Sequence, residues 1–124
     1  MKTKIEERGW AGHFICASRC AYRRNTLITV GRKRVVVSSV GQYRPGESGP
    51  VDTIGHERFY ETMAFRAKKE GAYWEADVSK QISFDSEWGI FGKDQKELPG
   101  DVDARMDKIH NAVVAEIARK LAKP

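Results

Sequence analysis

A chain of 124 residues, 40% hydrophobic and 31% charged, suits one domain spanning 1–124 with a modest core. That balance excludes a disordered chain, and no apolar run approaches the roughly eighteen residues a transmembrane helix needs. The formal charge of +5 is uneven: residues 1–50 hold ten Lys or Arg against three Glu, while residues 51–100 hold seven against ten acids. The basic half invites an anionic partner, although a solvated basic face would look the same in composition.

In chain order, residues 1–9 read as a short charged lead-in. Glu6, Glu7 and Arg8 follow Lys2 and Lys4 where a secretory leader would turn apolar, so a cytoplasmic setting is expected. Residues 13–17 suit a short strand. Thr26 to Val30 and Arg34 to Val40 are rich in β-branched residues and predict a hairpin, with Val30 opposite Val35 and Ile28 opposite Val37. Both faces of that hairpin carry apolar residues: Ile28, Val30, Val35 and Val37 on one, Leu27, Val36 and Val40 on the other. One helix cannot cover both, which predicts a homo-oligomer burying the remainder.

Gly41 to Thr53 holds three glycines and two prolines and predicts a loop. Phe59 to Ala67 and Ala72 to Ile82 predict a second hairpin about residues 68–71. Its expected core face is Phe59, Met63, Phe65, Trp74, Ala76, Val78 and Ile82. Residues 84–91 suit an irregular edge strand, and 92–100 a second loop. Val102, Met106, Ile109, Val113 and Ile117 recur at spacings of three and four, so 101–121 predicts a helix with Asp101 as its N-cap. The fold class is therefore α+β: an antiparallel sheet built from β-hairpins, packed against a C-terminal helix.

Chemistry-bearing residues are sparse. His13, Cys16 and Cys20 supply at most three local ligands where zinc takes four, or three with water. A Cys–His nucleophile would need an orienting group besides the pair itself. Glu75 and Asp77 share a strand face and suit solvation better than a carboxylate dyad. There is no Walker A loop, no G-x-S-x-G and no dinucleotide fingerprint, so neither an enzyme, a metal nor a cofactor is expected. The segment Tyr22-Arg23-Arg24-Asn25 has the types a nucleotide site uses: an arginine to fork onto phosphate, an amide for sugar or base, and Tyr22 or Phe14 to stack. A capped strand edge with two solvated arginines fits the same residues. Arg58 and Arg66 are supporting cations, with Phe84 and Trp88 as further ring platforms.

The blocks RGWAGHFICASRCAYRRNTLI at 8–28, VVVSSVG at 35–41 and ERFYETMAF at 57–65 resemble a small phage-encoded family, the first-described Thoeris anti-defence proteins. The resemblance covers about half the chain in scattered blocks and transfers no individual residue role. It implies an oligomeric sheet-plus-helix protein that sequesters a cyclic ADP-ribose-type immune signal without cleaving it. Some members of the family also hold cyclic oligonucleotides at separate sites. The resulting expectation is a non-catalytic nucleotide sponge that blocks host anti-phage defence, with Phe14, Tyr22, Arg23, Arg24, Asn25, Arg58, Arg66, Phe84 and Trp88 as ligand-binding residues. The alternative is a basic nucleic-acid-binding or protein-binding inhibitor of a host defence complex, using the hairpin tip at Arg32, Lys33 and Arg34.

Overall fold

The computed structural model describes residues 2–8, 13–14, 17–46, 49–92 and 99–123. Strands β1 (Thr3–Glu7), β2 (Cys20–Val30), β3 (Lys33–Tyr43), β4 (Arg58–Glu70) and β5 (Tyr73–Ile82) form an antiparallel meander in that order. The short β6 (Gly89–Phe91) pairs with β4, and one helix, α1 (Pro99–Ala122), closes the chain. The expected α+β class is what the structure shows. No helix among the described residues is long and apolar enough to cross a membrane.

The hairpins close more tightly than the sequence suggests. Val30 pairs with Lys33 and Glu70 with Tyr73, leaving the two-residue turns 31–32 and 71–72. Gly31 and Gly71 open them at φ 62° and 60°, a backbone region where side chains are disfavoured. Ile28 therefore faces Val35 rather than Val37. That slip is two residues, so each side chain stays on its expected face. On β4 and β5 the expected pairing of Ala67 with Ala72 becomes Ala67 with Ala76, and an irregularity follows between Phe65 and Ala67.

Three further expectations are corrected. The lead-in is strand β1, paired with β2 from Thr3↔Val30 to Glu7↔Thr26. The described part of the expected strand at 13–17 is irregular at His13 and Phe14 and enters a 3-10 turn, Ala17–Arg19; residues 15 and 16 lie outside the described residues. The helix begins at Pro99, which places Asp101 in its first turn and not at the cap.

α1 covers one sheet face. Ile28, Val30, Val35, Val37 and Ala64 pack against Val113, Val114 and Ile117. Tyr22, Tyr60 and Ile90 pack against Val102, Met106 and Ile109. On β4 the helix-covered residues are thus Tyr60, Thr62 and Ala64, the face the alternation assigned to the polar side. Tyr60 and Tyr22 meet edge-to-face at 5.5 Å across Gly41, where an added Cβ would fall 2.0 Å from the Tyr60 ring. The alternation misleads because the tyrosines turn their hydroxyls to helix carboxylates: Tyr22 donates to Asp107 at 2.6 Å and Tyr60 to Asp103 at 2.5 Å.

The opposite face is buried within the chain. Leu27, Val36, Val40 and Phe65 are each no more than 4% exposed. Ala17, Cys20 and Val40 form a third cluster with Phe14, Tyr43 and Ile54, and the Arg8 side chain crosses to the Trp74 carbonyl on β5. The leftover apolar face from which an oligomer was expected is therefore absent from this part of the sheet. Val78, expected in the core, is 63% exposed on β5.

Candidate functional site

Strand β4 changes partners along one edge. Ala64 to Glu70 pairs with β5, whereas Arg58 to Glu61 pairs with β6. Thr62 and Met63 sit at the fork, and residues 83–88 loop out between the two partners. A cavity of about 280 Å³ opens there, with Arg58, Glu61, Met63, Gln81, Phe84 and Trp88 in its lining.

Two features hold the cavity's shape. The Glu116 carboxylate of α1 accepts the backbone N–H groups of Asp85 and Ser86 at 2.7 and 2.8 Å, and the Ser86 hydroxyl at 2.5 Å. Lys120 lies 2.9 Å from its other side. Burial alone would raise the Glu116 pKa, but these donors together outweigh it and hold the pKa at about 2. The second feature is Gly55, which makes room for Arg58: a Cβ at that position would fall 2.2 Å from the guanidinium. Arg58 lies 5.3 Å from the Trp88 ring centre and its Nε sits 3.2 Å from Glu61 Oε2. Cation and ring are each about one-third exposed, so both remain within reach of a ligand.

Glu61 also ties the cavity to the opposite sheet face. Its Oε1 lies 3.0 Å from His13 Nε2, and His13 Nδ1 lies 2.9 Å from Ser38 Oγ. With a neutral ring, Nε2–H donates to the carboxylate and Nδ1 accepts the Ser38 hydroxyl, which itself accepts the His13 backbone N–H at 3.1 Å. The order Ser–His–carboxylate resembles a hydrolytic triad, but Ser38 is fully buried and its oxygen is already occupied. The cluster latches the segment at His13 onto the sheet. Both His13 nitrogens are engaged, which removes His13 from the metal cluster considered with Cys16 and Cys20. Cys16, the third member, lies outside the described residues. Among the described residues no group of three His, Cys, Asp or Glu could hold a metal.

The nine expected ligand-binding residues do not converge. Arg58, Phe84 and Trp88 share the cavity. Arg24 and Tyr22 lie instead in a polar seam under the helix. Arg24 donates to both Glu7 carboxylate oxygens at 3.0 Å and to Asn111 at 2.9 Å. Asn25 is 2% exposed on the other face, and Phe14 packs edge-on against Tyr43. Arg66 is exposed on β4, and Arg23 lines a separate basin at the start of β2.

The seam centres on His110, which no local pattern singled out. Thr26 donates to Glu7 Oε2 at 2.6 Å and so accepts from His110 Nε2–H at 2.7 Å. His110 Nδ1 then accepts from Ser39 at 2.6 Å, and Ser39 accepts from Thr62 at 2.6 Å. Burial, followed by the nearby Arg24 charge, lowers the His110 pKa to about 4. One signal was present in the sequence: His110 falls inside the apolar stripe between Met106 and Val113, where an unpartnered polar group would be costly. Comparison with protein-family models, curated proteins and solved structures found no match to this chain.

Proposed function

We propose that this protein binds a small anionic nucleotide in the cavity between β4, β6 and residues 83–88, and does so without transforming it. The observation that carries the reading is the pairing of an accessible guanidinium with an accessible indole at one cavity mouth, Arg58 with Trp88 at 5.3 Å. Arginine supplies the fork that phosphate oxygens accept, and tryptophan supplies a plane on which a base stacks. A cyclic ADP-ribose isomer carries both groups, which makes sequestration of such an immune signal, and with it an anti-defence role, the function that fits this arrangement. Burial of the Ser38 hydroxyl beneath His13 supports sequestration over hydrolysis at that cluster.

Incubation with a cyclic ADP-ribose isomer, followed by heat release and mass spectrometry, tests both halves of the reading. Intact ligand released in proportion to protein is expected. A hydrolysed product would make the protein an enzyme, and no released nucleotide would remove nucleotide capture. Nucleic-acid binding through the hairpin tip has less support. Arg34 stacks on Trp74 at 4.3 Å, and Lys33 reaches the Leu121 carbonyl at 3.5 Å. A homo-oligomer remains part of the proposal, resting now on the open edge of β5, a ten-residue strand with exposed Tyr73 and Val78.

A further inference from the structure

A second, basic cavity has a lining separate from that of the Arg58 cavity. A basin of about 370 Å³ at the start of β2 is lined by Ser18, Arg19, Cys20, Arg23 and Arg44 among others, none of them acidic. Its three arginines come from three places: the 3-10 turn (Arg19), β2 (Arg23) and the chain just past β3 (Arg44). Backbone pairing brings them together. Cys20 is opposite Tyr43, and the Arg44 N–H donates to the Arg19 carbonyl at 3.0 Å, extending the ladder one step.

Two of the guanidinium groups are already positioned. Arg19 Nη1 donates to the Pro45 carbonyl at 2.7 Å, and Arg44 Nη1 donates to the Gly49 carbonyl at 3.1 Å. A guanidinium has five N–H donors, so a single carbonyl bond fixes its direction and leaves most of its donors unused. Arg23, exposed on the strand between them, has no ion pair among the described residues. Three other arginines are paired with carboxylates at close range: Arg24 with Glu7, Arg58 with Glu61 and Arg105 with Glu87. Three arginines lining one basin, with no carboxylate in that lining among the described residues, repel one another, and a multivalent anion removes that cost.

We infer that this basin binds a phosphoryl anion, most favourably a pyrophosphate group, through Arg19, Arg23 and Arg44. Its planar forks suit pairs of phosphate oxygens, and its open shape suits a diphosphate, free or carried on a nucleotide. The site does not depend on the Arg58 cavity.

Calorimetric titration of the full chain with inorganic pyrophosphate, at about 0.15 M salt where long-range attraction between exposed charges is screened, tests it. Saturable binding is expected, weakened about tenfold by Arg23→Gln and by Arg44→Gln, each of which removes a charge-assisted contact. Arg32→Gln, which removes equal charge from the distant hairpin tip, should leave it unchanged. Adenosine diphosphate separates the two sources: equal affinity marks a site for the diphosphate alone, tighter binding marks a nucleotide whose diphosphate sits there. Absence of pyrophosphate binding at millimolar concentration overturns the inference. So does binding weakened equally by Arg32→Gln, which would reflect net charge only.

Discussion

Single residues carry the strongest constraints. Gly41 separates Tyr22 from Tyr60, and a methyl group there would fall 2.0 Å from a Tyr60 ring carbon. Gly41→Ala is expected to destabilise the fold by about 3 kcal/mol, the upper part of the range for overpacked cores, read by urea denaturation. Gly41→Ala combined with Tyr60→Leu should recover part of that loss. Full additivity of the two changes would mean that the residues do not touch. His110 gives a pH signature. Its folded pKa of about 4 lies below its ordinary 6.5, so between those values the unfolded chain binds the extra proton. Stability from this group is complete above pH 6.5 and falls as pH drops toward 4, by roughly 3 kcal/mol in total. A urea-midpoint series across that window should slope for the natural chain and flatten for His110→Gln. Equal slopes would assign the titration elsewhere.

At the scale of elements, the helix and the 83–88 loop are joined by Glu116. Glu116→Gln should cost about 1.5–3 kcal/mol, the worth of hydrogen bonds to a charged group, and should speed amide exchange at Asp85 and Ser86. Because the carboxylate is held at about 2 in the folded chain against an ordinary 4.5, its contribution is complete above pH 4.5 and is lost as pH falls toward 2. Exchange unchanged in Glu116→Gln would mean that the loop is held by its own strand pairing. Legibility divides at this same scale. The apolar stripe of α1 and both hairpins were readable because spacing of three and four, β-branched runs and Gly31 and Gly71 are local signals. Strand β1 was not, because Lys4, Ile5 and Glu6 have no pattern of their own and pair only because β2 extends past them. The face of β4 was misread because Tyr60 and Thr62 look polar until Asp103 and Ser39, distant in sequence, supply their partners. For the same reason Arg24 looked available when Glu7 and Asn111 hold it, whereas Arg58 and Trp88, thirty positions apart, could be named but not joined.

At the scale of the whole molecule, two features organise the account. The helix covers one face of the sheet while Phe14, Ala17 and Cys20 pack on the other, and the proposed self-association is assigned to the sheet edge. Light scattering at micromolar concentration is expected to give a mass above the 14.0 kDa of one chain, reduced by Val78→Lys on the edge strand. A mass fixed at one chain over rising concentration would remove the oligomer. The second feature is the cavity at the β4 fork, where Arg58 and Trp88 are each about one-third exposed, while Phe14, Tyr22, Arg24 and Asn25 are engaged or buried. Isothermal titration with cyclic ADP-ribose isomers, comparing the natural chain with Arg58→Gln, tests that centre most directly. Saturable binding of one isomer at micromolar concentration is expected, weakened about tenfold or more when the guanidinium is removed. No binding of any isomer, or binding that Arg58→Gln leaves untouched, would contradict it.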